Sequence, residues 1–306
     1  MIPHRTTPPR SRRGAPAFLL VPWFVLVVVG FAVGASPVAV VDDLGRDVRL
    51  AAPAARVVSL VPSHTETVCA LGACDRLVGR DTWSDHPSSV LALPDVGSAF
   101  APDLEAIVAL RPDLVLVDEY SGAHEALERL GLVVYAGTPQ RLDEVFEVIE
   151  RLGTLLGADT QAAVLGGRLR GELAGVAAVV AGRARPTVFY EIDPSPYSVG
   201  PAGYLGALIA LAGGDNVVAA GLGDFPLIDP EYVVAADPQV IVLADAPYGV
   251  DLAALRARPG WAGIAAVRSG RVIEVTAEQG DVLSRAGPRL GEAALLLARW
   301  FHPGAF

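Results

Sequence analysis

The feature that most constrains this chain is an alternation of short apolar strands with helices, which occurs twice, on either side of one long helical stretch. In the first half, Arg56–Val61, Leu114–Val117 and Val133–Tyr135 are short runs typical of buried parallel strands. The stretch Thr160–Ala181 is helical in pattern, contains no proline and predicts a rod about 33 Å long. The sequence therefore predicts an α/β fold, with two parallel-sheet (Rossmann-like) lobes bridged by one long α-helix.

The alternation also predicts boundaries. We expect an N-terminal α/β lobe at residues 46–158, a connecting helix at 159–182 and a C-terminal α/β lobe at 186–303. Pro62 ends the first strand, and we expect Ser63 to begin a helix, with Glu66 completing a capping box.

One helix-and-strand segment is repeated in the two halves. Asp103–Val115 and Asp229–Ile241 share Asp, Glu, Val, Ala and Pro at identical offsets. The aspartate is expected to cap each helix, which places Glu105 and Glu231 in equivalent first turns. The simpler alternative is that the same helix-forming pattern is used twice.

Charge limits the class of partner. The net charge is −10, and all 24 basic residues are arginine. Such a chain is expected to repel nucleic acid and anionic membrane surfaces. Hydrophobic residues make up 52% of the chain, which is enough for packed cores.

Residues 1–35 predict an export signal. Four arginines precede the apolar run Ala15–Gly34, and Val33-Gly34-Ala35 offers a site for cleavage. The alternative is an uncleaved membrane anchor. Either way, we expect the protein to be exported, periplasmic or otherwise extracytoplasmic. In an exported chain, Cys69 and Cys74 are close enough in sequence to form a local disulfide, with two buried free thiols as the alternative.

Motifs of catalysis and metal binding are missing from the sequence. It has no Gly-x-Ser-x-Gly, Walker or Gly-x-Gly-x-x-Gly motif, no His-x-x-x-His and no Cys-x-x-Cys. We therefore predict no catalytic residue, no metal site and no enzyme activity. Aromatic residues instead cluster near strand ends, where open α/β sheets bind ligands. They are Trp83, Phe100, Tyr120, Tyr190, Tyr197, Tyr204, Phe225 and Tyr248.

Five segments carry a family resemblance over roughly residues 46–303. They are Arg56–Glu66 (RVVSLVPSHTE), Trp83–Pro87 (WSDHP), Leu104–Val117, Gly213–Asn216 (GGDN) and Ser284–Arg289 (SRAGPR). Together they resemble the class III, helical-backbone periplasmic binding proteins of ABC importers, and most of all the vitamin B12 (cobalamin) binding proteins. The resemblance implies a ligand held between the lobes and delivered to an ABC permease with its ATPase.

The resemblance also implies roles for particular residues. Ligand-wall positions from the family and from the aromatic pattern are Pro62, Ser63, His64, Trp83, Asp85, Phe100, Tyr120, Tyr190, Tyr197, Phe225, Asp281 and Arg285. In the cobalamin branch, one glutamate from each lobe docks onto permease arginines, and the matching positions are Glu105 and Glu231. Two equivalent carboxylates also suit a two-fold partner on electrostatic grounds. Stabilisation of the helix dipole is the simpler reading of each glutamate.

Several alternatives stay open at this point. An iron-siderophore or haem is the neighbouring ligand class, although anionic siderophores favour clefts with several arginines and Arg285 is the clear cleft candidate here, with Arg80 second. A metal-ion binder would need His64, His86 and His124 to converge, and an α/β enzyme is the remaining class. We expect no resident cofactor, with cobalt or iron entering only as part of the ligand, and a monomer.

Overall fold

The computed structural model describes residues 1–4, 6–7 and 36–306. Residues 1–4 and 6–7 carry neither helix nor strand, and the rest of the predicted export segment lies outside the described residues. The helices and strands of residues 36–306 lie within a single compact unit. Of the helices in the described part of the chain, none is both long and apolar enough to cross a bilayer.

The first half begins with a hairpin and continues as a four-stranded parallel sheet. Its elements are β1 (Val38–Val41), β2 (Asp47–Leu50), β3 (Val57–Ser59), α1 (Pro62–Ala70), β4 (Leu77–Arg80), β5 (Gly97–Ser98), β6 (Ala101–Pro102), α2 (Leu104–Ala109), β7 (Leu114–Val117), α3 (Ala123–Arg129), β8 (Val134–Ala136) and α4 (Glu144–Leu156). The strand order is β4-β3-β7-β8. Every residue of β3 and β7 is buried, as expected for strands covered on both faces.

A single helix, α5 (Asp159–Val180), leads from the first half to the second. It spans 22 residues and lies one position earlier than predicted. Gly182, which follows it, has a positive φ of 72° and takes the chain out of the helix.

The second half repeats the plan. Its elements are β9 (Thr187–Asp193), β10 (Tyr197–Ser198), α6 (Tyr204–Leu211), β11 (Asp215–Asn216), α7 (Pro230–Ala236), β12 (Val240–Leu243), α8 (Leu252–Ala257), α9 (Ala265–Ser269), β13 (Val272–Glu274), α10 (Ala277–Ser284) and α11 (Leu290–Phe301). The strand order is β10-β9-β12-β13, with β11 also paired to β9. The pairs β9–β12 and β12–β13 are parallel, and β10 runs antiparallel to β9.

The repeated segment occupies equivalent places in the two sheets. Helix α2 leads into β7, which pairs with β3, and α7 leads into β12, which pairs with β9. Asp103 accepts a hydrogen bond from the N–H of Ala106, and Asp229 accepts one from the N–H of Glu231. Both aspartates are therefore helix caps, as the sequence predicts.

The apolar core explains why the two sheets hold together. One buried cluster runs from Leu116 in the first sheet, through Leu165 and Leu173 of α5, to Val242 in the second. Separate clusters cover the outer faces, around Ile107 in the first half and Trp261 in the second. Each sheet is thus packed on both faces, and the predicted architecture of two α/β lobes joined by one helix is confirmed. We call the first half the N-terminal lobe and the second the C-terminal lobe.

Two local predictions are wrong. Helix α1 begins at Pro62 and its N-cap, Val61, makes no side-chain cap, so Ser63 and Glu66 form no capping box. Proline is well placed at the first helical position because no N–H is needed there. In the described part of the chain a capping box lies at Thr276 and Gln279, and it begins α10, a helix absent from the predicted elements.

Candidate functional site

Large exposed aromatic side chains follow the strand ends of both lobes. Trp83 comes after β4 and Tyr120 after β7, while Tyr197 and Tyr248 follow β9 and β12. The exposed set in the loops and short strands is Trp83, Phe100, Tyr120, Tyr197, Phe225 and Tyr248, and Phe306 at the end of the chain is exposed as well. The recorded ring–ring contacts of the described residues involve none of them. Their apolar faces are therefore open to another molecule.

Phe100 has its own support, because it lies in the tight turn between β5 and β6. Gly97 adopts a positive φ of 84°, and a Cβ there would lie 2.5 Å from the carbonyl oxygen of Ala101. Glycine is thus required for this turn. The result is a rigid support for a ring that is 79% exposed.

Three of the expected wall residues, Ser63, His64 and Tyr190, are buried and closed to a ligand in this conformation. Tyr190 is part of β9 and only 2% exposed, and His64 is 1% exposed in the first turn of α1. Burial lowers the pKa of His64 to about 4, so the ring is neutral at physiological pH. Ser63 is buried as well, whereas Pro62 is half-buried. Whether these side chains are buried or exposed depends on how α1 and β9 pack, and the residue types alone do not indicate it.

Arg285 is tied to protein groups at the end of α10. One guanidinium nitrogen, Nη1, lies 3.1 Å from Oε1 of Glu66 and 2.6 Å from Oδ1 of Asp85. The other, Nη2, donates to the carbonyl of Trp83 at 3.1 Å and lies 2.9 Å from Oδ1 of Asp281. The structure therefore brings four of the predicted wall residues together, from both lobes.

Glu66 also binds a second arginine. Nε of Arg289 lies 2.8 Å from Oε2 of Glu66, and Nη2 lies 2.6 Å from Oε1. This is a bidentate pair, the strongest geometry for arginine and a carboxylate. Neither residue of this pair was among the residues predicted to line the ligand site: Arg289 belongs to a family motif, and Glu66 was expected to cap a helix. No local pattern indicates a pairing between residues 223 positions apart.

This cluster contains more acidic groups than basic ones. Three carboxylates (Glu66, Asp85 and Asp281) face two guanidinium groups. Burial alone would raise the pKa of Asp85, but hydrogen bonding to Arg285 holds it below its usual value. Burial raises the pKa of Asp281, against the opposing pull of Arg285. The cluster thus offers no spare positive charge to an anionic ligand.

A comparable pair lies inside the C-terminal lobe. Glu191 at the end of β9 is fully buried, and both of its oxygens accept hydrogen bonds from Arg258, at 2.6 and 2.7 Å. The guanidinium carbon of Arg258 lies 4.5 Å from the ring centre of Trp261. Asp245 lies beside them, buried, with its carboxyl group next to that of Glu191. Burial and the neighbouring Glu191 raise the pKa of Asp245 to about 7.

A crevice of about 980 Å³ borders the Glu66–Arg289 pair. It runs between α1, α5 and α11, and its walls include Val176, Leu295 and Cys69. Cys69 is joined to Cys74 by a disulfide bond. The crevice is distinct from the exposed aromatic set, since none of those six side chains lines it.

The predicted docking residues lie on two other helices. Glu105 and Glu231 are both exposed, in the first turns of α2 and α7. Within the described ranges, no group of three or more His, Cys, Asp and Glu side chains is placed to hold a metal ion.

Sequence comparison adds a family to this geometry. Residues 57–279 match the periplasmic binding protein family. An uncharacterized ABC transporter substrate-binding lipoprotein, YvrC of Bacillus subtilis, is 31% identical over 281 residues, 88% of this chain and 87% of that protein. A vitamin B12-binding protein of Yersinia pestis is 28% identical over 250 residues, 80% of this chain and 86% of that protein.

Comparison with solved structures agrees. The periplasmic heme-binding protein RhuT from Roseiflexus sp. RS-1, in its apo form, superposes with a TM-score of 0.72. It is 27% identical in sequence, and the match covers 82% of this chain and 99% of that one.

Proposed function

This chain belongs to the periplasmic binding protein family, and from that premise we propose that it captures cobalamin or a related corrinoid between its two lobes and delivers it to a permease. The family assignment makes it the substrate-binding protein of an ABC transporter, which works with a permease and an ATPase. It is a transport protein rather than an enzyme. We further propose that it acts as a monomer outside the cytoplasmic membrane, either free or tethered by its N-terminal segment.

One observation carries the choice of ligand: the loop of the exposed Trp83 is held by an arginine whose charge is already neutralised. Arg285 contacts Glu66, Asp85 and Asp281, so it has no free charge to offer. Arg80, the other candidate, donates to the carbonyls of Asp81 and Thr82. A large, mostly neutral ring system such as a corrinoid fits aromatic walls without a basic anchor.

Haem is the second candidate, and the exposed tyrosines favour it. Tyr120, Tyr197 and Tyr248 present side chains to solvent at strand ends, and a tyrosine oxygen can ligate ferric haem. Haem carboxylates, however, call for arginine or another cation, and the engaged state of Arg285 counts against them. Iron-siderophores that carry net negative charge are disfavoured for the same reason.

A titration separates these ligands. Purified protein is titrated in a calorimeter with cyanocobalamin, haemin and a ferric siderophore, and visible spectra are recorded for each mixture. We expect saturable binding of cyanocobalamin at one site and little heat from the siderophore. Tight, stoichiometric binding of haemin with no response to cyanocobalamin would overturn the corrinoid proposal and leave the family assignment intact.

Trp83 tests whether the aromatic set forms the binding wall. Replacing Trp83 with alanine removes an exposed ring, and should weaken ligand binding by about 1–3 kcal/mol if the ring stacks on the ligand. Leu91, exposed to a similar degree but outside the set, provides the matched control as Leu91→Ala. Equal dissociation constants for the Trp83→Ala variant and the parent would remove Trp83 from the wall.

For the permease, we propose docking through Glu105 and Glu231. Both carboxylates are exposed and occupy equivalent first turns, so together they present a paired acidic surface to a basic partner. Changing both to arginine should leave ligand affinity unchanged and abolish transport into cells or proteoliposomes that carry the cognate permease. The double change Glu125→Arg and Glu150→Arg, at exposed sites elsewhere, controls for altered net charge. Undiminished transport by the Glu105/Glu231 variant would contradict the docking role.

A further inference from the structure

Besides α5, the two lobes are connected by a group of charged side chains that lie far from α5 in sequence. Glu66 belongs to α1 of the N-terminal lobe, while Arg285 and Arg289 lie on either side of the short link between α10 and α11. Both arginines bind the same carboxylate, across 219 and 223 residues of chain. We call these three residues the ionic clasp.

The ionic clasp is shielded from water. The side chains of Glu66, Arg285 and Arg289 are 1%, 10% and 14% exposed. At such sites charge–charge interactions are stronger than on the surface, but desolvation opposes them, so a buried pair does not by itself imply added stability. What a bidentate pair does define is geometry, because both guanidinium nitrogens must meet both oxygens.

Arg285 extends this geometry to the aromatic wall. Its second nitrogen donates to the backbone carbonyl of Trp83, and its first also reaches Asp85 two residues later. The loop that carries Trp83 is therefore held by a residue of the other lobe. Trp83 contributes its carbonyl to this contact and leaves its ring exposed.

The surroundings leave the lobes room to shift. The crevice beside Glu66 and Arg289 is open space of about 980 Å³ rather than packed core. Apolar packing through α5 holds the lobes together, and Arg141 of the N-terminal lobe donates to the carbonyl of Ala202 in the C-terminal lobe. The ionic clasp is the polar connection that borders the crevice. A change in the clasp would alter the separation of the lobes more readily than it would alter either lobe.

We propose that Glu66 is a positioning residue: through Arg285 and Arg289 it fixes the spacing of the two lobes and the place of Trp83, so that the ligand meets a preformed cleft. The spacing part stands on the structure alone. The ligand part rests on the proposed function.

The test measures lobe separation in ligand-free protein. The chain has no free cysteine, so cysteines introduced at Ala109 and Ala235, exposed and equivalent in the two lobes, can be spin-labelled selectively. Double electron–electron resonance spectroscopy then gives the distribution of distances between the two spin labels. Glu66→Gln, which removes the charge but keeps the size, should broaden or shift that distribution. Glu191→Gln, the same change in a bidentate pair within one lobe, should leave it unchanged.

A second readout uses cyanocobalamin as the probe. Loss of a preformed cleft should raise the dissociation rate of the Glu66→Gln variant by about tenfold, with a smaller change in the association rate. Glu66→Asp, which keeps the charge on a shorter arm, should recover part of the loss. If the parent protein does not bind cyanocobalamin, the ligand proposal is wrong. The spin-label distances still test whether Glu66 fixes the spacing of the lobes.

The outcomes are distinct. An unchanged label distribution in folded Glu66→Gln protein overturns the positioning role, even if stability falls. If Glu66→Gln does not fold, Arg289→Lys replaces it, since lysine keeps the charge and loses the bidentate geometry. A broadened distribution for Arg289→Lys supports the proposal, and one identical to the parent overturns it.

Discussion

Two buried glutamates of this protein form nearly identical ion pairs, but one pair lies within a lobe and the other connects the two lobes. Glu66 and Glu191 each accept two hydrogen bonds from one arginine at 2.6–2.8 Å. The partner of Glu191 lies 67 residues away in the same lobe, whereas the partners of Glu66 lie in the other lobe. The comparison teaches that a buried ion pair acquires its role from the elements it joins.

The surroundings of the two pairs also differ, since one lies in a closed core and the other borders open space. Arg258 packs on Trp261 in a closed core, next to the buried Asp245. Arg289 borders the open crevice, and Glu66 keeps a second cation in Arg285. We therefore expect the Glu191 pair to matter most for the stability of its lobe, and the Glu66 cluster to matter most for the spacing between lobes.

Removing Arg258 should have the largest effect on stability. Arg258→Ala leaves Glu191 buried without its cation, beside Asp245, and should lower the free energy of unfolding by about 3–5 kcal/mol. Urea denaturation followed by circular dichroism measures the loss. Arg49→Ala, which breaks the exposed pair with Asp47, should cost less than about 1 kcal/mol and serves as the control. Equal losses for the two variants would contradict the expected importance of the buried pair.

Removing Arg289 should have a smaller effect. After Arg289→Ala, Glu66 still contacts Arg285, so the carboxylate stays partly paired and the loss should be about 1–3 kcal/mol. The same urea experiment gives the value. A loss larger than that of Arg258→Ala would reverse the comparison, and would make the clasp a main source of stability.

A further expected effect is a dependence of stability on pH. Asp245 has a folded-state pKa of about 7, above its ordinary value of 3.8, so the folded protein keeps a proton that the unfolded chain has lost. Its contribution to stability is present at low pH and falls as pH rises from about 4 to about 7, by at most about 1.4 kcal/mol per pH unit. Asp245→Asn should remove that slope, so the variant should gain stability relative to the parent over this window.

His64 provides the opposite slope in the N-terminal lobe. Its folded-state pKa of about 4 lies below the ordinary 6.5, so its contribution is lost as pH falls through that range. Urea curves at several pH values between 4 and 8 for the parent, Asp245→Asn and His64→Gln separate the two slopes. A stability difference between parent and Asp245→Asn that is constant across pH would mean that Asp245 does not titrate in this window.

The sequence predicts local structure well and long-range pairing poorly, for a physical reason. Periodicity and the absence of proline locate α5 to within one residue, and the caps at Asp103 and Asp229 follow from nearby backbone groups. Those signals depend on neighbours in the chain. The partners of Glu66 depend on how the two lobes meet, which no local pattern records.

The same limit applies to the candidate site. The aromatic residues at strand ends could be recognised because the position in an α/β sheet decides which side chains reach the open edge. Burial of Tyr190 and His64 could not, since it depends on which face of β9 and α1 meets the shared core. Thr276 and Gln279 form a local capping signal from which α10 could have been predicted. Asp281 lies on this helix.

The internal duplication has a consequence for stoichiometry. Because α2 and α7 occupy matching places in one polypeptide, a single copy already offers a partner both halves of a nearly symmetric contact. Unlike the arms of a homodimer, these halves are encoded separately and can change one at a time. Under the proposed docking through Glu105 and Glu231, substitutions in one half would change the contact with one transporter subunit and leave the other contact as it was.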